Sequence, residues 1–208
     1  VLGVLTFHTG WTSYDTWMLR RLNAHIGAWG AGELLGFTQP AIAISLMAFV
    51  LAGALVVRRF DVALLAVAGP VIGVVLVSGV LKPALDRPGP LVINGQLATG
   101  NVGSYPSGHQ MGVTCAALVL FLVACQLPIG RRARTGVALV LLAWVAVASI
   151  ALTRGVFHYS TDTIGAVGLS TAVVLGTALL LDRWLPDRLR TRPPVPALPE
   201  RARAAQLT

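Results

Sequence analysis

The chain has 208 residues, of which 55% are hydrophobic and only 12% charged, and its formal net charge is +8. A soluble domain carries ~25% charged residues, so this one has too few to clothe a surface in water, and the remainder of its surface faces lipid. Arginine supplies 15 of the 16 basic residues, in short clusters between apolar runs, which is the pattern of membrane topology and not of a nucleic-acid-binding face.

In chain order, residues 1–9 are apolar and are expected to form the outer end of a further helix. Over 13–29, Ser13 and Asp15 suit a helix start. Met18, Leu22, Ile26 and Trp29 then make one stripe at helical spacing, with Arg20, Arg21 and Asn23 off it and Trp11, Tyr14 and Trp17 crowded nearby. This predicts an amphipathic helix lying in the membrane interface, with Asp15, Glu33, His8 and His25 as solvated or interfacial groups.

A bilayer core needs ~20 apolar residues per span. Five segments qualify, roughly 38–57, 62–81, 108–128, 136–153 and 163–181, none with an interior charge. Pro70 and Gly73 within the second predict a kink or close helix packing. Cys115 and Cys125 fall in one helix about 15 Å apart, too far for a disulfide, and read as small packing residues. The fold expected is all-α, a polytopic transmembrane bundle of about six spans with an interfacial helix. It forms one membrane-embedded domain over 1–185, followed by a basic Pro/Arg-rich cytoplasmic tail over 186–208.

The turns at 58–61 and 129–135 and the tail after 182 carry 11 of the 16 bases and alternate correctly to share one side. The positive-inside rule makes that side cytoplasmic. The other side keeps five bases: Arg20, Arg21, Lys82, Arg87 and Arg154.

The last three oppose the trend, and they coincide with a cluster of reactive residues. Lys82 to Pro88 closes one apolar run, Tyr105-Pro106-Ser107-Gly108-His109 opens the next, and Thr153 to Asp162 joins the last two. Ionisable groups at membrane depth are expensive and point to function. Arg forks and a Lys charge match phosphate oxygens, and the free N–H groups where Ser107-Gly108 opens a helix favour an anion. His158 and Asp162 are four apart and share a face if helical. An Asp bound to Nδ1 leaves Nε2 as the lone pair, ready for nucleophilic attack, and His109 can protonate a leaving alkoxide. Asp86 either pairs with a neighbouring base or is solvated. Too few ligands gather for a metal site.

These residues resemble the type 2 phosphatidic acid phosphatase family, whose three motifs appear in order as Lys82…Arg87-Pro88, Pro106-Ser107-Gly108-His109 and Arg154…His158…Asp162. The resemblance spans roughly 10–182. The first motif has four residues between Lys and Arg where six are usual, and the third has three between Arg and His where five are usual. The resemblance implies that His158 is the nucleophile, Asp162 its orienting partner and His109 the general acid. It implies that Lys82, Arg87, Ser107, Gly108 and Arg154 hold the phosphate, with no metal or other cofactor. The implied activity is that of a bacterial integral membrane lipid phosphatase working through a phosphohistidine. Its substrate would be a lipid phosphate or diphosphate of the polyprenyl, phosphatidylglycerol phosphate or phosphatidic acid type. Its partners would be the bilayer and that lipid, with no nucleic acid, and its site would lie on the extracytoplasmic face of the cell membrane. A lipid phosphoryl or head-group transferase, and a catalytically altered lipid transporter, remain as alternatives.

Overall fold

The computed structural model describes residues 10–25 and 31–186. The expected helix end at 1–9, His8, Ile26, Trp29 and the tail after 186 lie outside the described residues, as does the Glu33 side chain.

The elements are α1 (Ser13–His25), α2 (Ala31–Gly36), α3 (Pro40–Val56), α4 (Phe60–Leu85), β1 (Pro88–Ile93), β2 (Gln96–Val102), α5 (Gly108–Gln126), α6 (Arg131–Arg154) and α7 (Ser160–Trp184). Four of them, α4 to α7, are long and apolar enough to cross a bilayer, at 26, 19, 24 and 25 residues. The expected span at 38–57 is shorter. Pro40, pre-set for a first helical turn, opens α3, and Arg58 at φ 58° closes it, leaving 17 residues. At 1.5 Å per residue that reaches ~25 Å, short of the ~30 Å hydrocarbon core. The chain is therefore an all-α membrane bundle with four full spans and one shorter apolar helix among the described residues.

α5 is the central helix, packed against α3, α4, α6 and α7. It begins and ends near the limits of its apolar run. α6 instead starts at Arg131, well before residue 136, because a charged first turn can extend a helix into the headgroups without entering hydrocarbon. Close packing is visible at Gly73, where an added Cβ would come within 2.5 Å of Met111 Cε. One turn beyond Pro70, α4 widens into a π-helical stretch over Val75–Leu81, a local departure often found near functional sites. Cys115 and Cys125 are both free thiols, the first buried and the second exposed.

The two ends of the bundle differ in chemistry. At one end Arg59 pairs with Asp61 at 2.7 Å and also reaches Gln126, so the Arg-bearing turns gather there. At the other end lie residues 86–107, the 155–159 turn and α1.

Residues 88–102, expected to be loop, form an antiparallel hairpin. Asn94 at φ 50° and Gly95 at φ 77° supply the two positive-φ positions of a tight two-residue hairpin turn. Trp11 Nε1 donates to Ala98 O at 2.7 Å and ties this hairpin to the segment before α1.

α1 also departs from expectation. It starts where Thr12 and Asp15 exchange capping bonds, Thr12 N donating to Asp15 Oδ2 at 3.3 Å and Asp15 N to Thr12 Oγ1 at 3.1 Å. The face it buries is centred on Asp15 and Leu19, with Met18 and Leu22 only partly covered and Tyr14 and Trp17 exposed. Asp15, expected to be solvated, is 1% exposed. The Arg87 guanidinium and the N-termini of two helices meet its carboxylate there. His25 is exposed, as expected of an interfacial group.

Candidate active site

The three motif segments meet at the end of the bundle opposite the Arg59–Asp61 pair. Lys82 stands in the last turn of α4, partly buried. Asp86 follows in a left-handed conformation at φ 44°, exposed to solvent, and reverses the chain so that Arg87 turns inward. Ser107 is the N-cap of α5, its Oγ accepting from Gln110 N at 3.3 Å. Gly108 and His109 form the exposed first turn of that helix, where N–H groups have no intrahelical acceptor.

His158 and Asp162 do come together, by a different route from a shared helical face. α7 begins at Ser160, so His158 precedes the helix and Asp162 occupies its first turn. Asp162 Oδ2 accepts from Tyr159 N at 3.1 Å, which caps the helix and folds His158 back over the carboxylate. His158 Nδ1 lies 3.4 Å from Asp162 Oδ2 and 3.4 Å from Ser104 Oγ, and Ser104 Oγ also donates to Asp162 Oδ2. The imidazole is therefore addressed at Nδ1. The His109 ring faces it with centroids 6.4 Å apart.

Behind Asp162 lies a buried charge network. Arg87 NH1 donates to Asp162 Oδ1 at 2.5 Å and to Thr161 Oγ1 at 2.7 Å, and NH2 donates to Asp15 Oδ2 at 3.1 Å and to Gly10 O at 2.9 Å. The guanidinium carbon stands 4.2 Å from the Tyr159 ring centroid, an energetically favourable stack. Arg87 is 0% exposed. Arg87, expected to help hold the phosphate, stands in the wall behind the histidine with NH1 and NH2 both hydrogen-bonded. Burial pushes the Tyr159 phenol up to about 12, so the ring stays neutral beside these charges. The Tyr105 phenol is likewise raised, by burial first and then by the Asp162 carboxylate.

Arg154 ends α6, partly exposed, four residues before His158. The shortened third motif is accommodated by a tight helix exit: Phe157 N donates to Leu152 O at 3.0 Å and Val156 N to Thr153 O at 3.1 Å. This double closure needs a left-handed residue, usually glycine. Here Val156 takes it, at φ 58°, a conformation rare for a β-branched side chain.

A cleft of about 550 Å³ runs from this site down between α3 and α4. Lys82, Gly108 and His109 line its mouth, and Met47, Leu51, Ala66 and Val71 line its depth. Gly108 and Gly112 face it one turn apart, and an added Cβ at either would meet nothing within 4 Å, so α5 leaves this side open. Among the described residues, no three His, Cys, Asp or Glu side chains converge as metal ligands do.

Three members of this arrangement escaped the sequence reading: Asp15, Ser104 and Thr161. The Thr12-x-x-Asp15 spacing signals a helix start but not that the carboxylate is buried, and Ser104 and Thr161 carry no sequence signal of their own.

A protein-family model described as the PAP2 superfamily matches residues 62–186. Neither the curated proteins nor the solved structures include a significant match.

Proposed function

Because the chain belongs to the PAP2 superfamily, a family of phosphatases acting on phosphate esters, we propose that it is a metal-independent membrane lipid phosphatase. The observation that carries this reading is the pair of facing imidazoles, His158 and His109, at the mouth of an apolar cleft of about 550 Å³. A soluble ester would need no such slot, whereas a lipid can keep its chain between α3 and α4 while its phosphate rests against Lys82 and the open N-terminus of α5.

In the proposed reaction, Lys82, the Ser107–Gly108 turn and Arg154 receive the phosphoryl oxygens. His158 Nε2 attacks phosphorus, and the Asp162 carboxylate stabilises the positive charge that develops on the ring by accepting from Nδ1–H. A P–N bond forms while the P–O bond to the lipid breaks, and His109 gives its proton to the departing oxygen. His109, now neutral, takes a proton from water as that water attacks phosphorus. The P–N bond breaks, and inorganic phosphate and free His158 return. The arginine-rich turns at the opposite end support a cytoplasmic assignment for that end, and hence an extracytoplasmic site in the cell membrane.

The test is phosphate release by purified protein from a polyprenyl diphosphate, phosphatidylglycerol phosphate, phosphatidic acid and a soluble aryl phosphate. Release from at least one lipid, at a higher kcat/KM than from the soluble ester, is expected. No release from any of the three lipids overturns the reading. The face is tested separately with single cysteines at Gly95 and Gly130 in a background lacking Cys115 and Cys125. Gly95→Cys should react with an impermeant reagent on intact cells and Gly130→Cys should not, and the reverse overturns the orientation.

A further inference from the structure

We propose that Asp15, on the interfacial helix and outside all three motifs, is a positioning residue that acts on His158 through Arg87 and Asp162. The proposal rests on the phosphatase reading above.

Asp15 is 146 residues away in sequence from its main partner. Its Oδ1 accepts from Thr161 N at 2.9 Å, and both its oxygens lie 3.1 Å from Thr161 Oγ1. Thr161 N is one of the orphan donors of the first turn of α7, so Asp15 caps that helix from another segment as well as its own. The side chains of Asp15, Arg87 and Asp162 are all 0% exposed. Two carboxylates and one guanidinium leave a single uncompensated negative charge. The N-termini of α1 and α7 meet it, each contributing roughly half a positive charge. The cluster is thus close to neutral only when all three side chains are present.

Each Arg87 nitrogen serves a different carboxylate, NH1 on Asp162 and NH2 on Asp15. With the Asp15 charge gone, nothing balances the NH2 end of the guanidinium except Gly10 O, and the full positive charge bears on Asp162 alone. Asp162 is then drawn toward Arg87 and away from Nδ1 of His158, already at 3.4 Å. The helix α1 therefore sets the catalytic pair at a distance, without touching substrate.

Asp15→Asn keeps the shape and one acceptor oxygen for Thr161 N and removes the charge. The experiment compares kcat and KM of wild type and Asp15→Asn on the best lipid phosphate. It also compares the ¹⁵N spectrum of His158 in detergent at alkaline pH. Expected is a fall in kcat of about 10- to 100-fold, the usual scale for a partner behind a reacting group, with KM changed by less than about twofold. The wild-type ring should be held as the Nδ1–H tautomer, and the variant should show a rise in the Nε2–H form. A wild-type kcat in Asp15→Asn, or a rise in KM alone, overturns the proposal. If wild type hydrolyses no phosphate ester, the phosphatase reading fails. The tautomer comparison then decides on Asp15, an unchanged tautomer ruling it out. Thr161→Val is the second variant, for the case in which Asp15→Asn does not fold. It cuts the hydroxyl bridge between Arg87 and Asp15 and keeps the carboxylate. It should lower kcat with KM unchanged, and a wild-type kcat would count against the proposal in the same way.

Discussion

Adding a single methyl group at Gly165 should disable the enzyme without touching any reacting group. Gly165 stands one turn beyond Asp162 in α7, and the Tyr105 ring lies directly on it. A Cβ there would sit 2.5 Å from Tyr105 Cε2 and 2.6 Å from Cζ, whereas ordinary contact begins near 3.4 Å, so the ring must retreat by about 0.9 Å. An aromatic ring has two rotatable bonds and little give, and the displacement passes to the backbone of residues 104–107. That segment carries Ser104, which bridges Asp162 and His158, and Ser107, whose N–H donates to Asp162 O at 3.3 Å. Overpacking of this size costs about 1–3 kcal/mol, and a displacement of about 1 Å at a reacting centre costs on the order of 10²-fold in rate. Gly165→Ala should therefore lose thermal stability modestly and kcat severely. Measured in a Tyr105→Ala background, the further stability loss from Gly165→Ala should disappear. The assay is detergent-solubilised unfolding alongside phosphate release. A Gly165→Ala protein within about threefold of wild-type kcat, with unchanged unfolding, would refute the claim that Tyr105 locks the phosphate-side loop to α7.

Two further outcomes follow from the same geometry. Val156 holds a left-handed conformation at φ 58° that costs a non-glycine residue about 1–2 kcal/mol. Val156→Gly removes that strain but gives back about 0.5–1 kcal/mol in chain entropy, for a net gain of about 0.5–1 kcal/mol, measurable as a rise of about 1–4 °C in the unfolding midpoint. A lower midpoint would contradict the strain assignment. The proposed phosphate site uses Lys82, Arg154 and helix N–H groups, so turnover should be the same with and without a divalent-metal chelator. Loss on chelation with recovery on adding Mg²⁺ or Zn²⁺ would show that the cationic site is insufficient.

Much of this architecture is legible in the sequence because hydropathy and helix alternation are local signals. Four of the five apolar runs mark true long helices, and strict alternation puts Lys82, His109 and His158 at one end of the bundle once those runs are counted. The hairpin is a miss of a different kind: residues 88–102 are expected to be loop, although Asn94-Gly95 between Leu91-Val92-Ile93 and Gln96-Leu97 is a strong turn signal, masked by its setting in a long inter-helix connection. Asp15 was not legible. A carboxylate in the first turn of an amphipathic helix reads the same whether it faces water or caps a second helix 146 residues away. Arg87 shares that problem, since a buried clamp and an exposed phosphate ligand have the same sequence, and only the left-handed turn at Asp86 sends it inward.

In the proposed reaction His158 is the group that takes the phosphoryl. The direct measurement is acid-labile phosphate trapped on the protein after rapid quenching of turnover on a lipid phosphate labelled in its phosphoryl group, with the modified peptide identified. The prediction is a phosphohistidine at His158, absent in His158→Ala together with all phosphate release. It should still form on an activated aryl phosphate in His109→Ala, because that leaving group needs no proton. Label on another residue, or full turnover by His158→Ala, would contradict the mechanism.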